Sequence, residues 1–309
     1  MMDNGRAGSS AGTRLRGIFT ALVTPMDEDG RLDLQSLERL VHDQIEQGVD
    51  GFYAGGSTGE AFLLSGEERK QVLETVVRCA RGRAAVIAHI GCIGTAESIR
   101  LAEHAERLEV DAVSAVVPFY YKLSEQDILA HYEAIMDAVS TPMIIYHYPG
   151  ATGVRLPLDF YERISRHPRC IGVKFTSHAL FDMQQIRARC GRSFLIFNGH
   201  DEVYASGATA GADGAIGSTF NMMPGPFIRM HRLIAGGAAA WPQLQALQAE
   251  ANEVIAHMMR YAVIPYEKYM LYMQGILKSP AVRRPLRDFT AREREDLEVF
   301  YRNNPTLRR

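Results

Sequence analysis

The lysine at residue 174 is the side chain with the most specific chemical potential. It lies in the run 171–176, whose other residues are mostly apolar. Lysine is almost never fully buried without a reason. Burial lowers the pKa of an amine, which increases the neutral fraction that can attack a carbonyl carbon. A side chain that extends out to solvent is the other interpretation, but the position favours Lys174 as a Schiff-base nucleophile.

A glycine-rich turn and a tyrosine could assist such a nucleophile. Residues 55–60 read Gly-Gly-Ser-Thr-Gly-Glu, and Tyr146 ends another apolar run. Glycines let the backbone approach a ligand, and N–H groups beside the hydroxyls of Ser57 and Thr58 could hold a carboxylate or phosphate. An ordinary turn explains the same residues, and no lysine follows to make it a P-loop. The phenol of Tyr146 could transfer protons if it faces a substrate.

Other polar residues allow both a structural and a functional interpretation. Tyr120 belongs to an aromatic cluster at residues 118–121, and such clusters more often pack than react. We interpret His147 as structural, because no second histidine or carboxylate lies at metal-binding spacing. Asp201 and Glu202 either complement the dipole at a helix start or form a polar wall that binds hydroxyl groups.

Eight short runs rich in β-branched or aromatic residues must position these groups. They recur about every 28 residues between helical patterns, which predicts right-handed βαβ units and a parallel sheet. Ser65 with Glu68 and Ser124 with Asp127 have the spacing of capping boxes at helix starts. The predicted strands are residues 17–23, 51–54, 84–90, 112–117, 142–146, 170–174, 193–197 and 214–216.

Eight strand–helix units in one chain predict a closed (β/α)8 TIM barrel of the α/β class. A doubly wound open sheet is the alternative, but its Gly-x-Gly-x-x-Gly turn is absent after the first strand. The candidate residues follow the carboxyl ends of the strands, where barrel active sites lie. We predict a disordered tail over 1–13, a catalytic barrel over 14–236, and a helical extension over 237–309 with helices at 241–261, 264–277 and 291–302.

The amino-acid composition argues against a nucleic-acid-binding protein and against a membrane-spanning protein. The chain has 309 residues, with 34 basic and 36 acidic side chains and a net charge of −2, which argues against a nucleic-acid partner. No apolar run approaches the roughly 18 residues of a membrane span. The four cysteines form no Cys-x-x-Cys pair, so free thiols in a reducing cytosol are the simplest interpretation. We therefore expect a cytoplasmic enzyme without a membrane partner.

Several segments together resemble the dihydrodipicolinate synthase/N-acetylneuraminate lyase superfamily of pyruvate-dependent class I aldolases. The likeness runs from about residue 14 to about residue 290, and it is carried by residues 55–62, 118–121, 146 with 149, 174 and 211–214. Four further segments resemble the N-acetylneuraminate lyase branch, namely 88–92, 111–116, 197–202 and 217–221.

The resemblance implies a role for each reactive residue. Lys174 would attack the C2 ketone of open-chain N-acetylneuraminate, and the resulting iminium would accept electrons as the C3–C4 bond breaks. Pyruvate and N-acetylmannosamine would form reversibly. Tyr146 would relay the proton of the C4 hydroxyl, while Ser57 and Thr58 would hold the carboxylate and complete the relay. Tyr120 would lie at the site, near or across a subunit contact of a homotetramer.

The resemblance also implies the surroundings of the substrate. Thr176, Gly199, Asp201, Glu202 and Ser218 would bind the hydroxyl-bearing sugar chain, and such buried polar groups discriminate against substrates that lack the hydroxyls. No metal and no organic cofactor is implied, because the lysine itself supplies the electron sink. The expected partners are the small 2-oxo acids pyruvate and N-acetylneuraminate.

Three alternatives stay open. A dihydrodipicolinate synthase-like enzyme would carry an arginine where this chain has Ala151, and the Asp201–Glu202 pair suits a polyol better than an anionic partner. Gly150, Ala151 and His200 depart from the lyase pattern, which leaves room for another pyruvate-dependent 2-oxo-acid aldolase. A non-catalytic barrel that senses a small ligand is disfavoured, because the lysine, the phenol and the hydroxyl pair occur together.

Overall fold

The computed structural model describes residues 14–234 and 236–308, so the predicted tail at 1–13 lies outside the described residues. Eight parallel strands close into one barrel in chain order, which confirms the predicted (β/α)8 fold. The strands are β1 (Gly17–Ala21), β2 (Gly51–Ala54), β3 (Ala85–His89), β4 (Ala112–Val116), β5 (Met143–His147), β6 (Cys170–Phe175), β7 (Leu195–Asn198) and β8 (Gly214–Gly217).

Helices follow the strands and cover the outside of the barrel. Ser65 and Ser124 form the predicted capping boxes at two helix starts. The helices are α1 (Leu34–Gln47), α2 (Gly66–Ala80), α3 (Thr95–Arg107), α4 (Glu125–Ala138), α5 (Pro149–Thr152), α6 (Leu158–Ile164), α7 (Leu180–Cys190), α8 (Tyr204–Thr209), α9 (Pro224–Ile234), α10 (Trp241–Met258), α11 (Val263–Met273) and α12 (Ala291–Asn303). Within the described ranges no helix is long and apolar enough to cross a membrane.

The core has two parts because strand side chains alternate between the two faces of a sheet. Apolar side chains that point outward pack against the helices, whereas a smaller cluster fills the barrel interior. Phe19, Tyr53, Tyr146 and Phe197 belong to the interior cluster. Large aromatic residues therefore fill the barrel interior below the carboxyl ends of the strands.

The three predicted C-terminal helices are present as α10, α11 and α12. Helix α10 packs on α9 and on the short 3-10 turn Asp201–Val203, and α11 packs on the turn Thr219–Asn221. Both turns follow the last two strands at their carboxyl ends. The extension thus closes one side of the barrel mouth, whereas the predicted domain boundary at residues 236 and 237 stays a prediction.

Candidate active site

Lys174 and Tyr146 are register neighbours on adjacent strands, β6 and β5. The lysine is only 4% exposed. Its Nζ atom lies 4.2 Å from the centre of the Tyr146 ring and 4.3 Å from the centre of the Tyr53 ring. The amine is therefore buried inside the barrel mouth between two aromatic rings and does not extend to solvent.

Burial changes the charge of this amine. It lowers the pKa of Lys174 to about 7, an effect that the carboxylate of Asp201 partly opposes. The aromatic faces favour the ammonium form, but the loss of water outweighs them. About half of the amines are neutral at neutral pH, which is the state that nucleophilic attack on a carbonyl needs.

The Tyr146 phenol stays protonated at neutral pH. Burial raises its pKa, and the nearby hydroxyls of Ser57 and Thr176 oppose this shift. The ring stacks on Tyr148 with a centroid distance of 5.9 Å. A neutral phenol beside a neutral amine and two hydroxyls can pass a proton along a short chain.

A cavity of about 340 Å³ opens beside these groups. Nine of the ten predicted site residues line it: Ser57, Thr58, Tyr146, Lys174, Thr176, Gly199, Asp201, Glu202 and Ser218. The roles assigned to them stay predictions. The C-terminal helices contribute one wall of the cavity through Ile255, Met258, Val263 and Ile264. Sequence reasoning missed this wall, because apolar residues on a helix are equally well explained by packing in the core.

Tyr120 is the predicted site residue that does not line the cavity. Its side chain is 73% exposed, and its ring makes an edge contact with Tyr121 at 5.1 Å. The prediction that Tyr120 lies near or across a subunit contact is not tested by a single chain.

His89 holds the glycine-rich turn in place, a role that sequence reasoning missed. Its Nε2 atom accepts the backbone N–H of Val116, so Nδ1 carries the proton and donates it to the carbonyl oxygen of Gly55 at 2.9 Å. Burial, with the charges of Arg69 and Lys174, lowers the pKa of His89. The neutral ring thus links the turn that carries Ser57 to the neighbouring strands.

Asp201 lines the cavity, and its two oxygens differ in their hydrogen bonds. Its Oδ2 atom accepts hydrogen bonds from the backbone N–H and the hydroxyl of Thr219 at 2.9 and 2.7 Å. Its Oδ1 atom has no hydrogen-bond partner within the described part of the chain. Burial raises the Asp201 pKa to about 6, although the Thr219 bonds oppose this. The free oxygen can accept a ligand hydroxyl, and a Cβ at Gly217 would lie only 2.2 Å from it.

Gly199 occupies a position with no room for a side chain. A Cβ there would lie 2.0 Å from Oγ1 of Thr176. That hydroxyl is buried and lacks a hydrogen-bond partner among the described residues. The glycine therefore allows the loop after β7 to pass directly over Thr176, whose buried hydroxyl is left without a partner there.

Glu202 lies at the rim with two histidines. His178 and His200 both contact its Oε1 atom, at 2.9 and 3.2 Å, and the two imidazole rings stack at 4.1 Å. Burial acts to raise the Glu202 pKa, but hydrogen bonds from His200, the backbone and His178 together lower it to about 2. The carboxylate is therefore ionised at any physiological pH.

Glu267 of α11 is a second carboxyl that sequence reasoning missed. It is 0% exposed, and neither oxygen has a partner that meets hydrogen-bond geometry within the described ranges. Burial raises its pKa to about 8, with the nearby Ser218 hydroxyl opposing and Asp201 adding to the shift. The group is mostly neutral at pH 7 and lies close to Ser218 and Asp201, which line the cavity.

Comparison with known proteins agrees with this geometry. The sequence profile of the dihydrodipicolinate synthetase family matches residues 14–303. The chain belongs to this family. The match spans the barrel and most of the C-terminal extension, and it confirms the superfamily resemblance.

Several similar proteins are named sialic acid enzymes, whereas other solved structures that match are dihydrodipicolinate synthases. An N-acetylneuraminate lyase of Enterobacter sp. (strain 638) is 44% identical over 88% of this chain and 91% of its own length. An N-acetylneuraminate lyase of Escherichia fergusonii is 42% identical over 93% of this chain and 96% of its own length. The solved structure of wild-type Ruminococcus gnavus sialic acid aldolase has a TM-score of 0.89 and 34% identity, covering 93% of this chain and 95% of that chain.

A further solved structure in the family carries a ligand. It is CdNal from Clostridium difficile in complex with mannosamine, with a TM-score of 0.90 and 31% identity. The match covers 94% of this chain and 99% of that chain. The similarity therefore extends over the complete barrel and the helices that close its mouth.

Proposed function

We propose that this protein is a class I aldolase that cleaves N-acetylneuraminate reversibly to pyruvate and N-acetylmannosamine. The observation that carries the proposal is the buried amine of Lys174, whose Nζ atom is held 4.2 Å from the centre of the Tyr146 ring in a cavity that hydroxyl and carboxyl side chains also line. Relatives named N-acetylneuraminate lyase at 42–44% identity support the substrate. A solved Ruminococcus gnavus sialic acid aldolase is a catalytic lysine mutant, which supports a lysine as the reactive group.

The reaction begins at the amine. The neutral Lys174 nitrogen attacks C2 of the open-chain sugar acid, and the carbinolamine hydroxyl takes up one proton from solvent and leaves as water to give an iminium. Ser57 and Thr58, on the turn held by His89, hold the substrate carboxylate beside it. Because burial keeps the pKa of Lys174 near 7, much of the free amine is neutral and can act as a nucleophile. Once the iminium forms, the same nitrogen carries a positive charge and can accept electrons.

Cleavage then needs a base at the C4 hydroxyl. Tyr146 accepts that proton while it passes its own phenolic proton to the Ser57–Thr58 relay and on to the substrate carboxylate, and the electrons of the breaking C3–C4 bond move to the iminium nitrogen. The relay later returns a proton for C3 of the enamine. The aldehyde leaves as N-acetylmannosamine, and the enamine that remains is protonated at C3. Water then attacks the iminium carbon, and pyruvate leaves with the Lys174 amine restored.

The sugar chain extends toward the loops after β7 and β8. Oδ1 of Asp201 and Oγ1 of Thr176 are buried and lack partners within the described residues, so a ligand hydroxyl that reaches them would satisfy both. A substrate without those hydroxyls leaves them unpaired, which costs binding energy. This arrangement supports a polyhydroxylated substrate over an aldehyde that lacks hydroxyl groups.

The decisive experiment measures pyruvate release from N-acetylneuraminate and, in parallel, trapping of the pyruvate imine with borohydride. We expect pyruvate in a 1:1 ratio with N-acetylmannosamine, and a reduced pyruvyl group on the peptide that contains Lys174. Release from other 2-oxo acids, with none from N-acetylneuraminate, would assign a different aldolase. Pyruvate binding without imine trapping would contradict a Schiff-base enzyme.

We also propose that the enzyme is a cytoplasmic homotetramer. The four cysteines are free, which supports a reducing compartment. Tyr120 and Tyr121 are 73% and 66% exposed on one loop, and exposed aromatic clusters mark contact surfaces. Sedimentation velocity tests the assembly: we expect a tetramer that Tyr120→Ser with Tyr121→Ser weakens, and a monomer at all concentrations would contradict it.

A further inference from the structure

Three side chains form a cluster at the rim of the cavity. The proposed aldolase reaction uses only one of them, Glu202, which binds the sugar chain. His178 follows β6, whereas His200 and Glu202 follow β7. Nε2 of His178, Nδ1 of His200 and a carboxylate oxygen of Glu202 all lie within 4.8 Å of one another. Of the three, His178 lies outside the cavity lining, and the other two line it.

The spacing of these atoms is close to that of metal ligands. A tetrahedral zinc ion with bonds of roughly 2.0–2.2 Å holds its ligand atoms about 3.4 Å apart. Oε1 of Glu202 lies 2.9 Å from the His178 nitrogen and 3.2 Å from the His200 nitrogen. The two rings are stacked and nearly parallel, with 11° between their planes. To make room for the ion, Glu202 must move outward by a few tenths of an ångström and one imidazole must rotate until its nitrogen lone pair points at the ion.

The backbone around the cluster is fixed by hydrogen bonds. The side-chain amide of Asn198 donates to the carbonyl oxygen of His200 at 2.6 Å, and that of Asn252 donates to the carbonyl oxygen of Glu202 at 3.0 Å. The His178 carbonyl accepts the N–H of Leu180 at 2.8 Å. These contacts fix the main chain at all three residues, so that only side-chain rotation is needed to bring the ligand atoms to an ion.

We propose that His178, His200 and Glu202 form a binding site for a first-row divalent metal ion such as Zn²⁺. Two imidazoles and one carboxylate suit Zn²⁺, Co²⁺ and Ni²⁺, whereas Mg²⁺ and Ca²⁺ prefer an all-oxygen set. Three protein ligands leave the fourth position of a tetrahedral ion to water. The aldolase needs no such ion, because Lys174 provides the electron sink.

A metal ion at this site would weaken binding of the sugar chain and so inhibit cleavage. This consequence rests on the proposed function. The ion and its bound water occupy the rim beside Glu202 and His200, which line the cavity where the sugar chain would pass. Imine formation at Lys174 uses none of the three ligands. Zn²⁺ therefore raises the KM for N-acetylneuraminate while the trapping of pyruvate by borohydride proceeds at its original rate.

The first experiment measures metal binding to the metal-free full-length protein without any substrate. Titration calorimetry with Zn²⁺ is expected to give one site per chain that binds at least tenfold more weakly in His178→Asn and in His200→Asn. The exposed His42→Asn serves as the matched control and keeps the wild-type affinity. Equal zinc affinity in all four proteins, or equally tight binding of Mg²⁺, would overturn the site.

The second experiment follows cleavage of N-acetylneuraminate with and without Zn²⁺. We expect inhibition in the wild type and in His42→Asn, and at least tenfold less sensitivity in His178→Asn. Inhibition that persists in His178→Asn would overturn the proposed link between this cluster and the reaction. If the protein cleaves no N-acetylneuraminate at all, the proposed function fails, but the calorimetric result still decides the metal site.

Discussion

The Nζ atom of Lys174 lies against the face of the Tyr146 ring, 4.2 Å from its centre. The two residues are register neighbours on β6 and β5, so the strand pairing itself sets this distance. A proton donor and a nucleophile are thereby held together without any flexible loop between them. Rigid placement of reacting groups accounts for a large part of enzymatic rate enhancement.

The pH dependence of imine formation follows from the buried amine. Burial lowers the pKa of Lys174 to about 7, so the neutral nucleophilic fraction increases as the pH rises through 7. We expect the initial rate of borohydride-trapped adduct formation with pyruvate to rise with a midpoint near pH 7 and to level off above about pH 8. Intact-mass measurements from pH 5.5 to 9 record this rate.

A variant sharpens this test. The Asp201 carboxylate raises the Lys174 pKa, so Asp201→Asn should move the midpoint to lower pH. A midpoint near the ordinary lysine value, in wild type and variant alike, would show that the amine is solvated in solution.

Removal of the Tyr146 hydroxyl should separate imine formation from cleavage. Tyr146→Phe keeps the ring beside Lys174 but removes the proton relay, so pyruvate still forms the imine while kcat falls about 10²- to 10⁴-fold. Steady-state kinetics and borohydride trapping on the same preparation measure the two effects. A kcat within a few-fold of the wild type would exclude the phenol from proton transfer.

The barrel and the reactive pair were predictable from the sequence for a physical reason. A strand buried on both faces is a short apolar run, and such runs recur at regular spacing, so the position of each strand end could be inferred. Lys174 and Tyr146 interrupt this apolar pattern at strand ends, where a charged or hydroxylated residue needs an explanation. The motif resemblance then placed Ser57 and Thr58 at the same edge.

Other parts of the site had no such signal. Tyr53 and His89 lie within strands, where an aromatic residue is ordinary, and only the closed barrel shows that both face the Tyr146 ring. Glu267 lies on a helix about fifty residues after the last strand. Its burial behind Ser218 depends on how α11 packs across the mouth, which local sequence patterns do not specify.

A buried ion pair connects the glycine-rich turn to the C-terminal extension. Nζ of Lys268 lies 2.5 Å from Oε2 of Glu60, and both side chains are 0% exposed. We expect Lys268→Met to destabilise the protein by about 3–5 kcal/mol, because it leaves an unpaired buried carboxylate. The double variant Glu60→Gln with Lys268→Met should recover much of this loss. Urea unfolding of the wild type, of these two variants and of Glu60→Gln alone completes the double-mutant cycle.

A surface pair provides the control for that cycle. Lys70 pairs with Glu67 at 3.4 Å, and the two side chains are 34% and 70% exposed. Lys70→Met should cost less than about 1 kcal/mol. Equal destabilisation by Lys70→Met and Lys268→Met would mean that the buried pair has no special role in attaching the extension.

The buried carboxyl of Glu267 should make the stability depend on pH in an unusual direction. Its pKa is raised from 4.5 in a solvated chain to about 8 by burial, so the folded state holds a proton that the unfolded state releases. This contribution to stability is complete below pH 4.5 and is lost as the pH rises to 8. Relative to Glu267→Gln, the wild type should therefore lose about 1.4 kcal/mol for each pH unit within that interval.

Urea unfolding at pH 5, 6, 7, 8 and 9 checks this relationship between the two proteins. The stability difference between Glu267→Gln and the wild type should grow in favour of the variant up to about pH 8 and then stay constant, because the folded carboxyl is ionised from there on. Glu46→Gln, which changes an exposed glutamate, should give a difference that hardly varies with pH. If the Glu267→Gln difference is equally flat, the carboxyl reaches water in the folded protein, and α11 does not seal the sugar side of the cavity.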